Sequence, residues 1–267
     1  VVGAPTLVLL TANYSPKKVL LFLMFLFLIF NGLFAIAPDY NTLMISRFMS
    51  GLPHGAFFGV GSVVATRLSD EGKQAQAIAI MFTGMTIANL IGVPLGTYIG
   101  HHFSWRYTYL FISLCGAFTM LAIHFWLPKT EVYHKGSIFD QLNYFKTKAA
   151  WIIVAMISIG TGGLFAWMSY IAPLMTNVGQ IAEGNIPLIM ILVGLGMFVG
   201  NLLGGKLADT ISPILATITC FSAMAICLVL VYFTIHIDGM GYFWAFITGM
   251  ISFTIGSPLQ MVLIHSA

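Results

Sequence analysis

Long apolar runs separated by short polar connections repeat from one end of this chain to the other. Eight of them, at 18–37, 41–66, 76–100, 105–127, 150–175, 186–208, 213–235 and 240–265, reach the roughly 20 residues that a bilayer-spanning helix needs. Residues 1–12 are apolar too but are too short to span alone. In hydrocarbon the backbone must satisfy its own hydrogen bonds, which leaves helices or a closed barrel. Barrel strands alternate apolar and polar residues with period two. Val19–Phe30 is continuously apolar. The predicted fold is therefore all-α: a polytopic transmembrane helical bundle.

Composition sharpens this. Apolar residues make up 59% of the 267 residues and charged residues 7%, where a soluble domain carries about 25% charged. The chain cannot build a charged skin, so the lipid bilayer is its main solvent. Cys115, Cys220 and Cys227 lie singly inside runs, and neither they nor the histidines show metal-ligand spacing. No cofactor, metal or nucleic-acid partner is expected, since the basic residues are scattered among connections.

The charges give an orientation. Lys17 and Lys18, then Arg67 and Lys73, then Lys129, Lys135, Lys146 and Lys148, then Lys206 fall on alternating connections. Positive charge collects on the cytoplasmic side, so the connections around 13–18, 67–75, 128–148 and 206–212 are predicted cytoplasmic. No carboxylate falls at mid-membrane.

Residues 128–148 form the longest polar stretch. They are predicted to join a first helical bundle, 1–127, to a second, 149–267, as a tether or as an interfacial amphipathic segment. Val2-Gly3 with Ser15-Pro16 matches Val199-Gly200 with Ser212-Pro213 at an offset of 197 residues, a sign of an internal repeat as in transporters. Val1 opens in mid-helix and the last run stops at Ala267, so the chain reads as part of a longer protein.

Four groups of residues are candidates for mechanism. Arg47 is the one charge well inside a run, with Gly51, His54 and Phe58 on its own helical face. A guanidinium at membrane depth costs at least a few kcal/mol unless it faces protein or water. Either Arg47 snorkels to the nearer interface or it lines a polar cavity with His54. Small residues recur every fourth position at Gly84, Ala88, Gly92, Gly96 and Gly100, and again at Gly196, Gly200 and Gly204. Such stripes let helices approach closely, as fixed packing or as a sliding conformational contact; Pro94 adds a bend. Asn89 and Gln260 are membrane amides, read as interhelical links or substrate contacts. Trp167 and Tyr170 are read as an interfacial belt or cavity walls.

At this point the chain resembles the major facilitator superfamily, in particular its proton-linked drug and sugar efflux branch, typified by bacterial arabinose-efflux permeases. Asn13-Tyr14-Ser15-Pro16-Lys17-Lys18 stands where that family has an acidic, glycine-containing, basic cytoplasmic loop. Arg47 to Gly51 matches its helix-four arginine motif. Gly84 through Gly92-Val93-Pro94-Leu95-Gly96 is similar to the helix-five antiporter signature. Gly205-Lys206-Leu207-Ala208-Asp209 resembles the second copy of the loop motif, and Ser104-Trp105-Arg106 a typical opening of helix six. The departures are Asn13 for the loop aspartate, and Tyr14 and Pro16 for an arginine and a glycine.

The resemblance implies a two-lobe fold covering about helices two to ten of twelve. It implies a secondary transporter of the bacterial inner membrane, monomeric, that exports a small organic solute, a sugar or an amphipathic compound, in exchange for protons by alternating access. It assigns proton coupling to Arg47 and a loop latch to Asn13, Lys17, Lys18 and Asp209. Rival readings are a passive uniporter or channel-like facilitator and a non-transporting scaffold. An intramembrane protease would need a nucleophile motif, which Ser257 and His265 lack, so no enzyme activity is expected.

Overall fold

A computed structural model describes residues 3–129 and 146–266. The described residues form helices joined by short connections, and the eight predicted spans are all present. In chain order they are α1 (Gly3–Thr11), α2 (Pro16–Ile36), α3 (Tyr40–Leu68), α4 (Gln74–Ile87), α5 (Val93–His102), α6 (Trp105–Trp126), α7 (Lys148–Asn177), α8 (Ile186–Thr210), α9 (Pro213–Thr234), α10 (Met240–Thr254) and α11 (Gly256–Ser266). The third predicted span is α4 and α5 joined through a π turn, Ala88–Gly92, and the eighth is α10 and α11. The predicted 128–148 connection lies almost wholly outside the described residues.

Local chemistry sets the helix starts. Asp39 precedes α3, and its carboxylate accepts from the Thr42 backbone N–H at 2.8 Å and the Thr42 hydroxyl at 3.0 Å. Ser104, Thr147 and Ser212 cap α6, α7 and α9 with their hydroxyls. Pro16 and Pro213, the paired prolines of the sequence repeat, both stand in the first turn of a helix, where a missing N–H costs nothing. Pro94 acts differently. It lacks the N–H that the preceding turn needs, and that turn is the widened π segment.

The chain groups into two compact units. One comprises Val1–Val64 and Val93–Tyr144, the other Ala65–Gly92 and Phe145–Ala267. In the first, Val19 and Leu23 of α2 pack on Ala56 of α3, and α2 runs along α6. In the second, Ile171, Met175, Ile189, Val193 and Trp244 knit α7, α8 and α10 together. Large apolar side chains also point outward, among them Phe125, Ile159 and Tyr232, each about three-quarters exposed. Outward apolar surface on this scale would aggregate in water and is what a helix surface in hydrocarbon needs.

Candidate functional site

Helix α8 is the centre of the second unit, and its two long faces are built for different neighbours. Gly196, Gly200 and Gly204 face α10. A Cβ at these positions would collide with the backbone carbonyls of Phe246, Met250 and Thr254 in turn, and one at Gly249 with the carbonyl of Val193. The two backbones touch directly, with glycine Cα–H groups against carbonyl oxygens.

The other face carries Gly194, Asn201, Gly205 and Asp209, spaced at helical intervals, and it meets α4. Leu90 fills the space beside Gly194, and Ala75 and Ala79 the space beside Gly205. Between them the buried Asn201 amide donates to the Ala79 carbonyl at 2.6 Å and to the Thr83 hydroxyl at 3.1 Å. At the end, both carboxylate oxygens of Asp209 accept backbone N–H groups, from Ala75 and Gln76, each at 2.9 Å. These are first-turn donors of α4 that have no partner within their own helix. The residue at the N-cap position, Lys73, supplies no side-chain cap. Asp209, more than 130 positions further on, does. A carboxylate here also meets the positive end of the helix dipole.

The glycines of the predicted conformational contact stand elsewhere. The Gly196–Gly200–Gly204 stripe is turned to α10, within the second predicted bundle. Gly84 has open space beside it, and Gly92 only Ala88 of its own turn. The π turn Ala88–Gly92 follows Gly84. It adds a residue to one turn, so positions four apart no longer align across it. Gly96 beyond the turn faces Thr108 of α6, whose hydroxyl donates to the Gly96 carbonyl at 3.0 Å. Gly100 nears the backbone of Trp105. Pro94 lies in the first turn of α5.

In the first unit, the Arg47 guanidinium stands 5.8 Å from the Phe34 ring centre and 5.7 Å from that of Tyr109. Those two rings contact each other. Arg47 is exposed, with no carboxylate paired to it among the described residues. On its stripe Gly51 and His54 are exposed, and His54 meets Phe58 edge-on. A different face of α3, with Ser46, Ser50, Pro53 and Ala56, is buried. Aromatic faces partly replace the hydration of the cation.

The remaining predicted residues are dispersed. Asn89 is exposed in the π turn, Tyr170 is 71% exposed, and Gln260 is half-buried in α11. Trp167 is half-buried beside the core of the second unit, and its ring N–H is buried without a partner among the described residues. Asn13 is exposed. Lys17 bonds the carbonyls of His124 and Leu127 at the end of α6, while Lys18 is exposed. Asn13, Lys17 and Lys18 belong to the first unit and Asp209 to the second.

Two roles escaped the sequence. Arg106 donates to the carbonyls of Ala35 and Ala37 at 2.9 and 2.8 Å, closing the C-terminal end of α2, and it stacks on Trp105. Its position at a span start was legible, its partners were not. Ser257 is fully buried beside the break between α10 and α11, and its hydroxyl has no partner among the described residues. The Ser257-Pro258 pair was the available signal for that break.

Known proteins place this arrangement. The chain matches the model of the Major Facilitator Superfamily over residues 1–267. It is 40% identical to the Escherichia coli (strain K12) protein AraJ over 268 aligned residues, covering 100% of this chain and 68% of AraJ. It is 38% identical to the inner membrane transport protein YdhP of the same strain, covering 78% of this chain and 54% of YdhP. It is 33% identical to the MFS-type transporter YtbD of Bacillus subtilis (strain 168), covering 99% of this chain and 67% of YtbD. Its fold is similar to the crystal structure of the human organic anion transporter MFSD10, with a TM-score of 0.65 and 13% identity, over 98% of this chain and 72% of that one. The chain spans about half to two-thirds of the length of these bacterial relatives, and by this evidence it belongs to the Major Facilitator Superfamily, a family of membrane transporters of small solutes.

Proposed function

We propose that this chain is part of a secondary active transporter of the bacterial inner membrane that exports a small organic solute, a sugar or an amphipathic compound, in exchange for protons. The observation that carries this reading is the contact of α4 with α8. These helices come from opposite sides of the predicted 128–148 connection, and so from the two predicted bundles. Their contact is polar at its end and in its middle: the Asp209 carboxylate on the first turn of α4, and Asn201 on Ala79 and Thr83. Such hydrogen bonds are modest in net strength, about 1 kcal/mol for the neutral ones and about 1.5–3 kcal/mol for those to the carboxylate, so the contact can break and re-form within a transport cycle. The charge pattern assigns the Asp209 end to the cytoplasmic side. A closed contact there corresponds to the cytoplasmic side being shut. In this reading α4 and α8 are the latch, and rocking of the bundles opens it.

Arg47 is proposed as the coupling residue. A fixed cation seated on two rings lowers the pKa of a carboxylate that approaches it and attracts an anionic substrate group. Asn89, Trp167, Tyr170 and Gln260 are proposed to contact substrate, and the unpartnered Trp167 N–H supports this for that residue.

The test uses the intact protein in everted membrane vesicles. Asp209→Ala is expected to insert normally, to raise thiol labelling of a cysteine placed at Gln76, and to lower solute export driven by a pH gradient. Unchanged labelling together with unchanged export sinks the latch. Arg47→Ala is expected to abolish gradient-driven export while solute exchange persists. Export by the unmodified protein that ignores the pH gradient points instead to a passive facilitator.

A further inference from the structure

The first unit carries a second feature that the transport reading does not use. A groove of about 570 Å³ opens between α2 and α6 near the end where α2 begins. Phe22, Phe25, Leu121, His124 and Phe125 line it. Its direction is set by the packing around it. On α2, Val19 and Leu23 face α3, while Lys18, Phe22 and Phe25 follow one another at i, i+4 and i+7 on a different face. On α6, Thr108 faces α5, and His124 lies about 160° further round the helix at 100° per residue. The groove therefore opens on the outside of the unit, away from α3 and α5.

Charge is concentrated at one end of it. Lys18 is exposed above Phe22, and Lys129 is exposed just beyond α6. Lys17 donates to the carbonyls of His124 and Leu127. That bond neutralises the negative end of the α6 dipole, which would otherwise repel an anion at this point. Among the described residues of this unit the single carboxylate is Asp39, at the opposite end of α2. Trp126, 83% exposed beside His124, is the residue type that sits at headgroup level.

We infer that this groove is a binding site for an anionic phospholipid. The headgroup phosphate sits among Lys18, His124 and Lys129, and an acyl chain lies along Phe22, Phe25 and Leu121. The occupant follows from the two chemistries present. A basic cluster with no carboxylate beside it among the described residues takes an anion, and a phenylalanine-lined trough on the outer surface of a membrane bundle takes a hydrocarbon chain. A soluble anion uses only the first, and a zwitterionic lipid leaves the cluster without a net counter-charge.

The intact protein in mild detergent is offered equal amounts of phosphatidylglycerol and phosphatidylethanolamine, and retained lipid is read by native mass spectrometry. Retention is expected to favour phosphatidylglycerol at least tenfold, to fall with added salt, and to lose its preference in the double variant Lys18→Glu, Lys129→Glu. Lys206→Glu, in the other unit, serves as a charge control and is expected to retain the preference. Leu121→Trp, which fills the trough and leaves the cluster intact, is expected to lower retention of lipid while glycerol phosphate still binds. Equal retention of the two lipids overturns the inference, as does an unchanged preference in the double variant. Equal displacement by glycerol phosphate in wild type and Leu121→Trp also overturns it, since the trough would then contribute nothing. Should the double variant fold poorly, the salt dependence of the wild-type protein decides.

Discussion

The two long faces of α8 use the same kind of residue to opposite ends. Toward α10 the glycines at 196, 200 and 204 bring backbone onto backbone. Toward α4 the glycines at 194 and 205 give room to side chains, and the links are the hydrogen bonds of Asn201 and Asp209. The first contact has no alternative partners to exchange with. The second is made of groups that water or another side chain can satisfy. A glycine stripe alone thus does not say whether a helix pair stays or moves; the polar residues interleaved with it carry that information.

The largest effect expected is at the backbone contact. Gly200→Leu forces α8 and α10 apart and is expected to cost about 3 kcal/mol or more, at the upper end of overpacking. Loss of the monodisperse folded peak in size-exclusion chromatography is the measurement. Gly84→Leu, placed where a new side chain meets open space, is expected to leave that peak and the melting temperature within about 0.5 kcal/mol of wild type. Equal tolerance of the two substitutions would break the contrast between the faces.

Next comes the middle of the α4 contact. Asn201→Leu removes both interhelical bonds but fills similar volume. The Ala79 carbonyl keeps its own helical N–H, so the expected loss is about 1 kcal/mol by thermal melting, with the fold retained. Accessibility of residues along α4 to a thiol reagent is expected to rise more than the stability change alone would give. A melting shift as large as that of Gly200→Leu would mean that the α4 face is as fixed as the α10 face.

Much of the fold was legible because lipid makes it so. Eight runs of the right length have one backbone solution in hydrocarbon, and the structure reproduces them near their predicted ends. Local caps, Thr147 and Ser212, stand close to the predicted starts at 150 and 213. What the sequence withheld is whatever depends on a partner far along the chain. The start of α4 has no cap of its own, and nothing near Lys73 names Asp209. Rotation about the helix axis was also out of reach: the π turn before Pro94 shifts the Gly84–Gly100 stripe out of line, and a stripe on α8 does not say which neighbour it meets. Arg47 was visible as an oddity, but its seat on Phe34 and Tyr109 joins three helices.

A smaller effect separates charge from hydrogen bonding at the latch. Asp209→Asn keeps an acceptor for one α4 N–H and loses the charge, whereas Asp209→Ala loses both. The expected order of melting temperatures is wild type, Asn, Ala, with about 1 kcal/mol across the series. Asn equal to wild type would assign the whole effect to the hydrogen bond and none to the helix dipole.

Asp39 offers the same chemistry without the distance. It caps its own helix, α3, through Thr42, and the Thr42 backbone N–H, then its hydroxyl, holds the carboxyl below its usual range. A pKa lowered in the folded state means that the unfolded chain binds the proton more readily. The stabilisation is complete above the ordinary carboxylate value of about 3.9 and is lost as pH falls through the lowered one. The melting difference between wild type and Asp39→Ala is therefore expected to be constant from neutral pH to about 5 and to narrow below that. A carboxylate open to solvent makes this the smallest change of the set. If the difference persists undiminished into strong acid, Thr42 is not held by charge at Asp39, and the parallel between a cap supplied by a neighbour in sequence and one supplied by α8 loses its local half.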